Sequence, residues 1–230
     1  FVSRDYTWHL KSGKSSPLSH YRLKDNYLRF YLKYIDPNIS EIEKNIETVD
    51  YIFHLAGVNR PKDVKEFYEG NTDLTQQLVD LLRSKNLKTP IIYASSVQAG
   101  LDNDYGKSKK QAEDVILDYG NGSLVYRFHN VFGKWCRPNY NSVVATFCNN
   151  IATGQEISVD DRSKELELIY IDDIAYEFKK IITGGQPTEQ QGDYCYINPR
   201  YKVSLGYIAD ALQQFKDETQ SVYVPATGDD

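Results

Sequence analysis

Three short, almost uninterrupted apolar runs constrain this chain more than anything else in it: VDYIFHLA at 49–56, IIYA at 91–94 and SLVYRF at 123–128. Each ends in a polar loop, and amphipathic helical patterns separate them. A strand that is apolar on both faces has to be covered on both, which is the situation of a parallel sheet between two layers of helices. A strand with one face in water would alternate apolar and polar residues instead. The expected class is therefore α/β, a doubly wound parallel sheet. Ligands of such sheets bind beyond the carboxyl ends of the strands, where His54 to Arg60, Ser95 to Gln98 and His129 to Asn141 fall.

The remaining elements follow from periodicity and stop signals. A possible helix runs from Arg4 to Lys11, followed by a loop rich in Ser, Gly and Pro, SGKSSPLSHYRLKDN. Tyr27 to Tyr34 alternates Leu28, Phe30, Leu32 and Tyr34 as a strand does, and a helix carrying Ile42 and Ile46 begins at Ser40. Asn71 to Arg83 carries an apolar stripe of Leu74, Leu78, Leu81 and Leu82. The helix around Tyr105 reaches about Tyr119 and closes at Gly120 and Gly122, and NVFGKWCRPNYN reads as a long loop. Ser142 to Thr153 is helical, stopped by Gly154, with short strands at 157–159 and Leu166 to Tyr170. A helix from Asp172 or Asp173 to Thr183, a strand at Tyr194 to Ile197 and a last helix capped by Ser204 complete the reading.

The chemistry concentrates in IIYASSVQAGLDNDYGKSK, residues 91–109. Tyr105 and Lys109 are spaced i, i+4 and so share one helix face. A phenol titrates near pH 10 and is a poor acid at neutral pH, but an adjacent ammonium favours the phenolate and brings it toward the working range. A serine hydroxyl from the strand end, Ser96 or its neighbour Ser95, can hold the oxygen to which the proton moves. Among nineteen tyrosines a second pair with this spacing exists, Tyr176 and Lys180. It lacks a strand ending in serine just upstream, and Tyr176 reads as an ordinary helix residue.

Composition removes other classes. A net charge of −5 without a basic block argues against a nucleic-acid partner. No apolar run of about 18 residues is present, which argues against a membrane span. Three cysteines (Cys136, Cys148, Cys195) without metal-type spacing fit a reduced, cytoplasmic setting and no metal. The absence of methionine and the loose VPATGDD end suggest a fragment cut at both ends.

Four stretches resemble extended short-chain dehydrogenase/reductases acting on nucleotide sugars: HLAG at 54–57, Asn71 within GNTDLTQQL, YGKSK at 105–109, and YRFHNVFG followed by IYIDDIA. LAGVNRP and FGKWCRPNYNSVVATFCNNIA resemble more closely the reductase part of the bifunctional capsular-polysaccharide enzymes of UDP-N-acetyl-L-fucosamine synthesis. The resemblance implies a Rossmann-like cofactor domain over 1–153 and a small α/β substrate-binding part over 154–230. It also implies that the family's first strand and most of its Gly-rich turn precede this chain, Ser3 standing at the turn's third glycine position. Val97 and Gln98 follow Ser96 where dehydratases of the superfamily carry an acidic pair, so keto-reduction or epimerisation is favoured over loss of water.

For the site, the resemblance implies NADPH-dependent reduction of a UDP-2-acetamido-2,6-dideoxy-hexulose type of keto sugar, in capsule or O-antigen precursor synthesis. Ser96, Tyr105 and Lys109 would be catalytic. Leu55, Ala56, Gly57, Asn71, Tyr105, Lys109, Asn130 and Val131 would meet the cofactor. Arg137, Asn139, Asn141 and Arg162 would meet the substrate, Arg137 because a planar guanidinium suits a phosphate. Asn71 could position the lysine through a water or simply cap a helix. His54 could be a core histidine or meet the cofactor through its backbone, and Arg60 could meet a phosphate or be solvated. A 4-epimerase using the same three residues, and a non-catalytic nucleotide-binding module, are the alternatives. A homodimer and a following cupin domain are further expectations from the resemblance.

Overall fold

A computed structural model of the chain describes residues 2–8, 15–23 and 45–218. It divides into two compact units, Phe1–Tyr93 with Leu101–Ser123, and Ala94–Gly100 with Leu124–Asp230. The expected strand at 27–34 and the start of the helix at Ser40 lie outside the described residues.

The first unit opens on a correction. Residues expected as helix and loop form an antiparallel hairpin, β1 (Val2–Trp8) with β2 (Ser15–Leu23), pairing Val2 with Leu23 and Tyr6 with Ser19. Valine, tyrosine, threonine and tryptophan in VSRDYTW favour a strand. Pro17 is tolerated because both strands of a two-stranded ribbon are edges, and it falls where the register shifts. Ser3, expected at a turn, sits in β1 opposite Arg22.

β3 (Ile52–His54) pairs in parallel with β4 (Ile91–Ser96), His54 opposite Tyr93. The helical run between them starts before the expected Asn71. It consists of an α-turn (Lys65–Phe67), a π-helical stretch (Tyr68–Asp73) and α1 (Leu74–Ser84). Gly70 and Asn71 look like breakers in sequence, yet both are buried within the helix. The reason is tertiary: Asn71 exchanges two hydrogen bonds with the backbone of Val58, at 2.9 and 3.0 Å. Gly70 lies so close to Val58 that a Cβ there would stand 2.3 Å from Val58 Cγ2. Overpacking of this kind costs roughly 1–3 kcal/mol, so Gly70→Ala is expected to lose that much stability in a denaturant titration. The buried stripe of α1 centres on Thr75, Val79 and Leu82. α2 (Asp104–Tyr119) starts at Asn103, whose side chain accepts from Gly106 N–H at 2.8 Å, and ends at Gly120 with φ +66°.

In the second unit the end of β4 runs into a 3-10 turn (Val97–Gly100). β5 (Leu124–Phe128) pairs in parallel with β9 (Tyr194–Tyr196), and β8 (Glu189–Gln191) closes the edge antiparallel to β9. Residues 130–132, expected as loop, form β6 (Asn130–Phe132), parallel to β7 (Glu165–Tyr170), which pairs antiparallel with β10 (Tyr201–Ser204). α3 (Val143–Ala152), α4 (Ile171–Ile182) and α5 (Leu205–Glu218) fall where expected. Ser142 caps α3 and Ser204 caps α5 through their hydroxyls. No strand forms at 157–159; Ile157 and Val159 pack instead on the cluster of Phe147, Leu168, Ile208 and Ala209.

One buried charge ties the second unit together. The Glu177 carboxylate on α4 is 3% exposed. It accepts from the Tyr126 hydroxyl (3.0 Å), from Thr188 N–H (2.7 Å) and from the Thr188 hydroxyl (2.5 Å), and pairs with Lys180 at 2.7 Å. Burial opposes its ionisation, but the hydrogen bonds from Lys180, Thr188 and Tyr126 outweigh that and leave the carboxyl below its ordinary range. Tyr176, beside it, points to solvent, 71% exposed, while Lys180 is held by Glu177.

Candidate active site

Lys109 is the centre of the first unit's site. It lies one turn after Tyr105 on α2 and is 6% exposed. Its Nζ donates to the Tyr93 hydroxyl at 3.3 Å and lies 5.0 Å from that ring's centre. Burial brings the ammonium down to about 8, against which the Glu113 carboxylate, one turn further along the helix, holds it up. Tyr105 is half-buried, its ring tilted 5.7 Å from that of Phe67.

Asn71 is 1% exposed. Besides Val58 it donates to the Ser108 hydroxyl at 2.9 Å, and Ser108 in turn donates to the Tyr105 carbonyl at 2.9 Å. Asn71 is thus an internal clamp between the helical run and α2, not the cap that opens a helix. Its carbonyl takes the Thr75 hydroxyl at 2.6 Å. The His54 side chain is buried in the core: Nε2 lies 2.8 Å from Thr75 Oγ1, and burial together with the nearby Lys109 charge lowers it to about 4.

The loop after β3 meets this cluster at Gly57, which has no side chain. A Cβ on Gly57 would stand 2.8 Å from Asn71 Oδ1 and 2.9 Å from Lys109 Nζ. Glycine therefore leaves backbone directly against the buried ammonium, with Ala56 half-buried and Leu55 61% exposed beside it. A buried donor and a phenol beside the bare backbone of Gly57 fit the hydroxyls of a dinucleotide ribose, so these residues suit a nicotinamide cofactor. Among the described residues no group of three or more His, Cys, Asp or Glu could hold a metal, and no helix is long and apolar enough to cross a membrane.

In the second unit, Ser95 is buried and Ser96 half-buried at the end of β4, where the Ser96 hydroxyl accepts from Gln98 N–H at 3.2 Å. Asn130, exposed on β6, donates to the Glu167 carbonyl at 3.1 Å, with Val131 half-buried beside it. Arg137 lies over the Tyr140 ring at 5.6 Å, and Asn139, at φ +55°, donates its N–H to Thr146. Asn141 is exposed, as is Trp135, at 99%. Arg162 is engaged elsewhere: it grips Asp210 on α5 at 2.6 and 2.7 Å. The structure so brings Gly57, Asn71, Tyr93 and Lys109 together. It leaves Arg162 in an ion pair that periodicity does not announce. Tyr93 and Glu113 are the neighbours missed by sequence reasoning, although the i, i+4 spacing of Lys109 and Glu113 was there to be read.

The sequence matches the NAD dependent epimerase/dehydratase family over residues 2–194. It is 40% identical over 197 residues to the UDP-2-acetamido-2,6-beta-L-arabino-hexul-4-ose reductase of Pseudomonas aeruginosa, which covers 84% of this chain. It covers 52% of that reductase, so the chain spans about half the length of this relative. The capsular polysaccharide assembling protein CapF from Staphylococcus aureus superposes with a TM-score of 0.67 at 43% identity, over 78% of this chain and 48% of that one. The UDP-glucuronic acid 4-epimerase from Bacillus cereus, solved with NAD, shares the fold (TM-score 0.66, 17% identity, 85% of this chain and 66% of that one). The α/β strands and helices, the Tyr105–Lys109 helix and the sequence match over residues 2–194 agree, and the chain belongs to the NAD-dependent epimerase/dehydratase family.

Proposed function

We propose that this chain carries the reductase activity of a nucleotide-sugar enzyme: NADPH-dependent reduction of a UDP-2-acetamido-2,6-dideoxy-hexulose to the corresponding hydroxy sugar. The observation that carries the reading is a buried lysine ammonium one helical turn from a half-buried tyrosine. The 40% identity to a reductase of such a substrate supports the substrate class. NADPH, when bound, supplies the hydride. Tyr105 donates the proton to the substrate oxygen, Lys109 favours the phenolate left behind and binds the ribose, and Ser96 orients that oxygen by a hydrogen bond. Asn71 holds the helix of Tyr105 and Lys109 in place. Leu55, Ala56, Gly57, Asn130 and Val131 meet the cofactor, and Arg137, Asn139 and Asn141 the sugar diphosphate. Arg162 joins them only if it exchanges Asp210 for phosphate. The reading divides the chain into a cofactor domain at 1–153 and a substrate part at 154–230, in a cytoplasmic homodimer whose full-length form continues into a cupin domain.

A 4-epimerase is the second reading, favoured by the match to a family named for epimerases. Loss of NADPH absorbance on mixing full-length protein with a UDP-4-keto sugar is the deciding measurement. Stoichiometric consumption supports the reductase; isomerisation without net consumption overturns it. The rate should also fall as pH rises through about 8, where Lys109 loses its proton and with it the charge that assists Tyr105. A flat profile from pH 6 to 9.5 contradicts that role.

A further inference from the structure

Tyr93 is a fully buried tyrosine in a strand whose other inward residues are apolar or small. A phenol carried into a core normally finds a hydrogen-bond partner, and here the partners are Thr75 and Lys109. The Thr75 hydroxyl commits its single proton to the Asn71 carbonyl, 2.6 Å away. Thr75 also hydrogen-bonds Tyr93. The lone pairs of the Tyr93 oxygen face Lys109 Nζ at 3.3 Å. Burial pushes the Tyr93 phenol far above its ordinary range, so it stays neutral and serves as an acceptor that never competes with the ammonium for a proton.

We propose that Tyr93 is a positioning residue for the reaction: from beneath the site it fixes Lys109 Nζ in one place and keeps it charged, by accepting its hydrogen bond and presenting its ring face. This rests on the reading of Tyr105 and Lys109 as the acid–base pair. Other groups also lie around Lys109. Glu113 on the same helix raises its proton affinity. Tyr105 stands one turn before it, and His54 on β3, tilted 5.2 Å from the Tyr93 ring, is neutral above about 4. Without Tyr93, the cation would lose the hydrogen bond and the ring face that reach it from β4.

The test is Tyr93→Phe in the full-length protein, which keeps the ring and removes only the oxygen. Two quantities are followed against pH: the Lys109 side-chain signal in protein labelled with 13Cε-lysine, assigned by its loss in Lys109→Met, and kcat for NADPH oxidation with a UDP-4-keto sugar. The Lys109 midpoint should fall by about half to one pH unit, and the alkaline limb of kcat should move with it. The rate at pH 8 then drops roughly two- to sixfold, while at pH 6.5 it changes less than about twofold. An unmoved midpoint overturns the proposal, even if the melting temperature falls, and so does a midpoint that moves while the limb stays. Should Tyr93→Phe not fold, Thr75→Val removes a hydrogen-bond partner that steadies the Tyr93 hydroxyl, and a downward shift, smaller, is required of it. Tyr105→Phe measured in parallel separates the two levels. Full activity there defeats the acid–base reading, whereas an inactive Tyr105→Phe beside an unmoved Lys109 midpoint defeats only the role of Tyr93.

Discussion

Replacing Tyr105 by Phe should lower kcat by about 10²–10⁴, the usual contribution of a positioned general acid, while leaving substrate affinity within about twofold. The phenylalanine keeps the contact of the ring with Phe67 and does not disturb the N-terminal cap of α2, which Asn103 supplies. The loss therefore reports on the hydroxyl alone. Lys109→Met should fall in the same range, and combining the two should cost little more than either, because the lysine acts through the phenol. Steady-state NADPH oxidation and calorimetric titration of the UDP-sugar give the two quantities separately. Wild-type turnover in Tyr105→Phe would reject the assignment.

The largest effect on stability is expected at Glu177→Ala. Removing this carboxylate leaves the Tyr126 hydroxyl, the Thr188 N–H and hydroxyl and the Lys180 ammonium without their shared acceptor. Breaking a buried charged cluster from one side costs about 3–5 kcal/mol. In a chain of this size that is on the order of 10 °C in melting temperature. Glu177→Gln, which keeps the shape and one acceptor oxygen, should recover part of it. The pH dependence has a definite sign. The folded carboxyl lies below its unfolded value, so its stabilisation is present above the ordinary glutamate range and is lost as pH falls through the folded value. Thermal scans from pH 7 to 3 should show the wild type losing more than Glu177→Ala loses over that interval.

The strands that carry the site were legible because both of their faces are buried. Such runs stay apolar whatever surrounds them, and IIYA at 91–94 needs no partner to be recognised. The Tyr105 helix was legible for local reasons as well, with a capping Asn103 at one end and Gly120 at the other. The hairpin at 2–23 was not. Ser, Gly and Pro lower strand propensity, and only the pairing of the two segments with each other makes strands of them. The helical run starts before the expected Asn71 for a related reason: Gly70 and Asn71 are held by contacts to Val58 and Ser108, twelve and thirty-seven residues away respectively. Within the site, Lys109 and Tyr105 follow from spacing, but the Tyr93 contact depends on how a strand and a helix meet, which no local pattern encodes.

The wider turn at Tyr68–Asp73 has one more implication. A π-helical stretch holds a residue more than an α-helix would, rotating the helical turn ahead of it by about 100° relative to the turn behind it. Phe67, ahead of it, meets Tyr105, whereas Thr75, behind it, meets His54 on a strand. The extra residue sets the angle between these two contacts. Shortening this segment by a single amino acid would therefore turn Phe67 away from Tyr105 or Thr75 away from His54, even though every side chain discussed above would still be present.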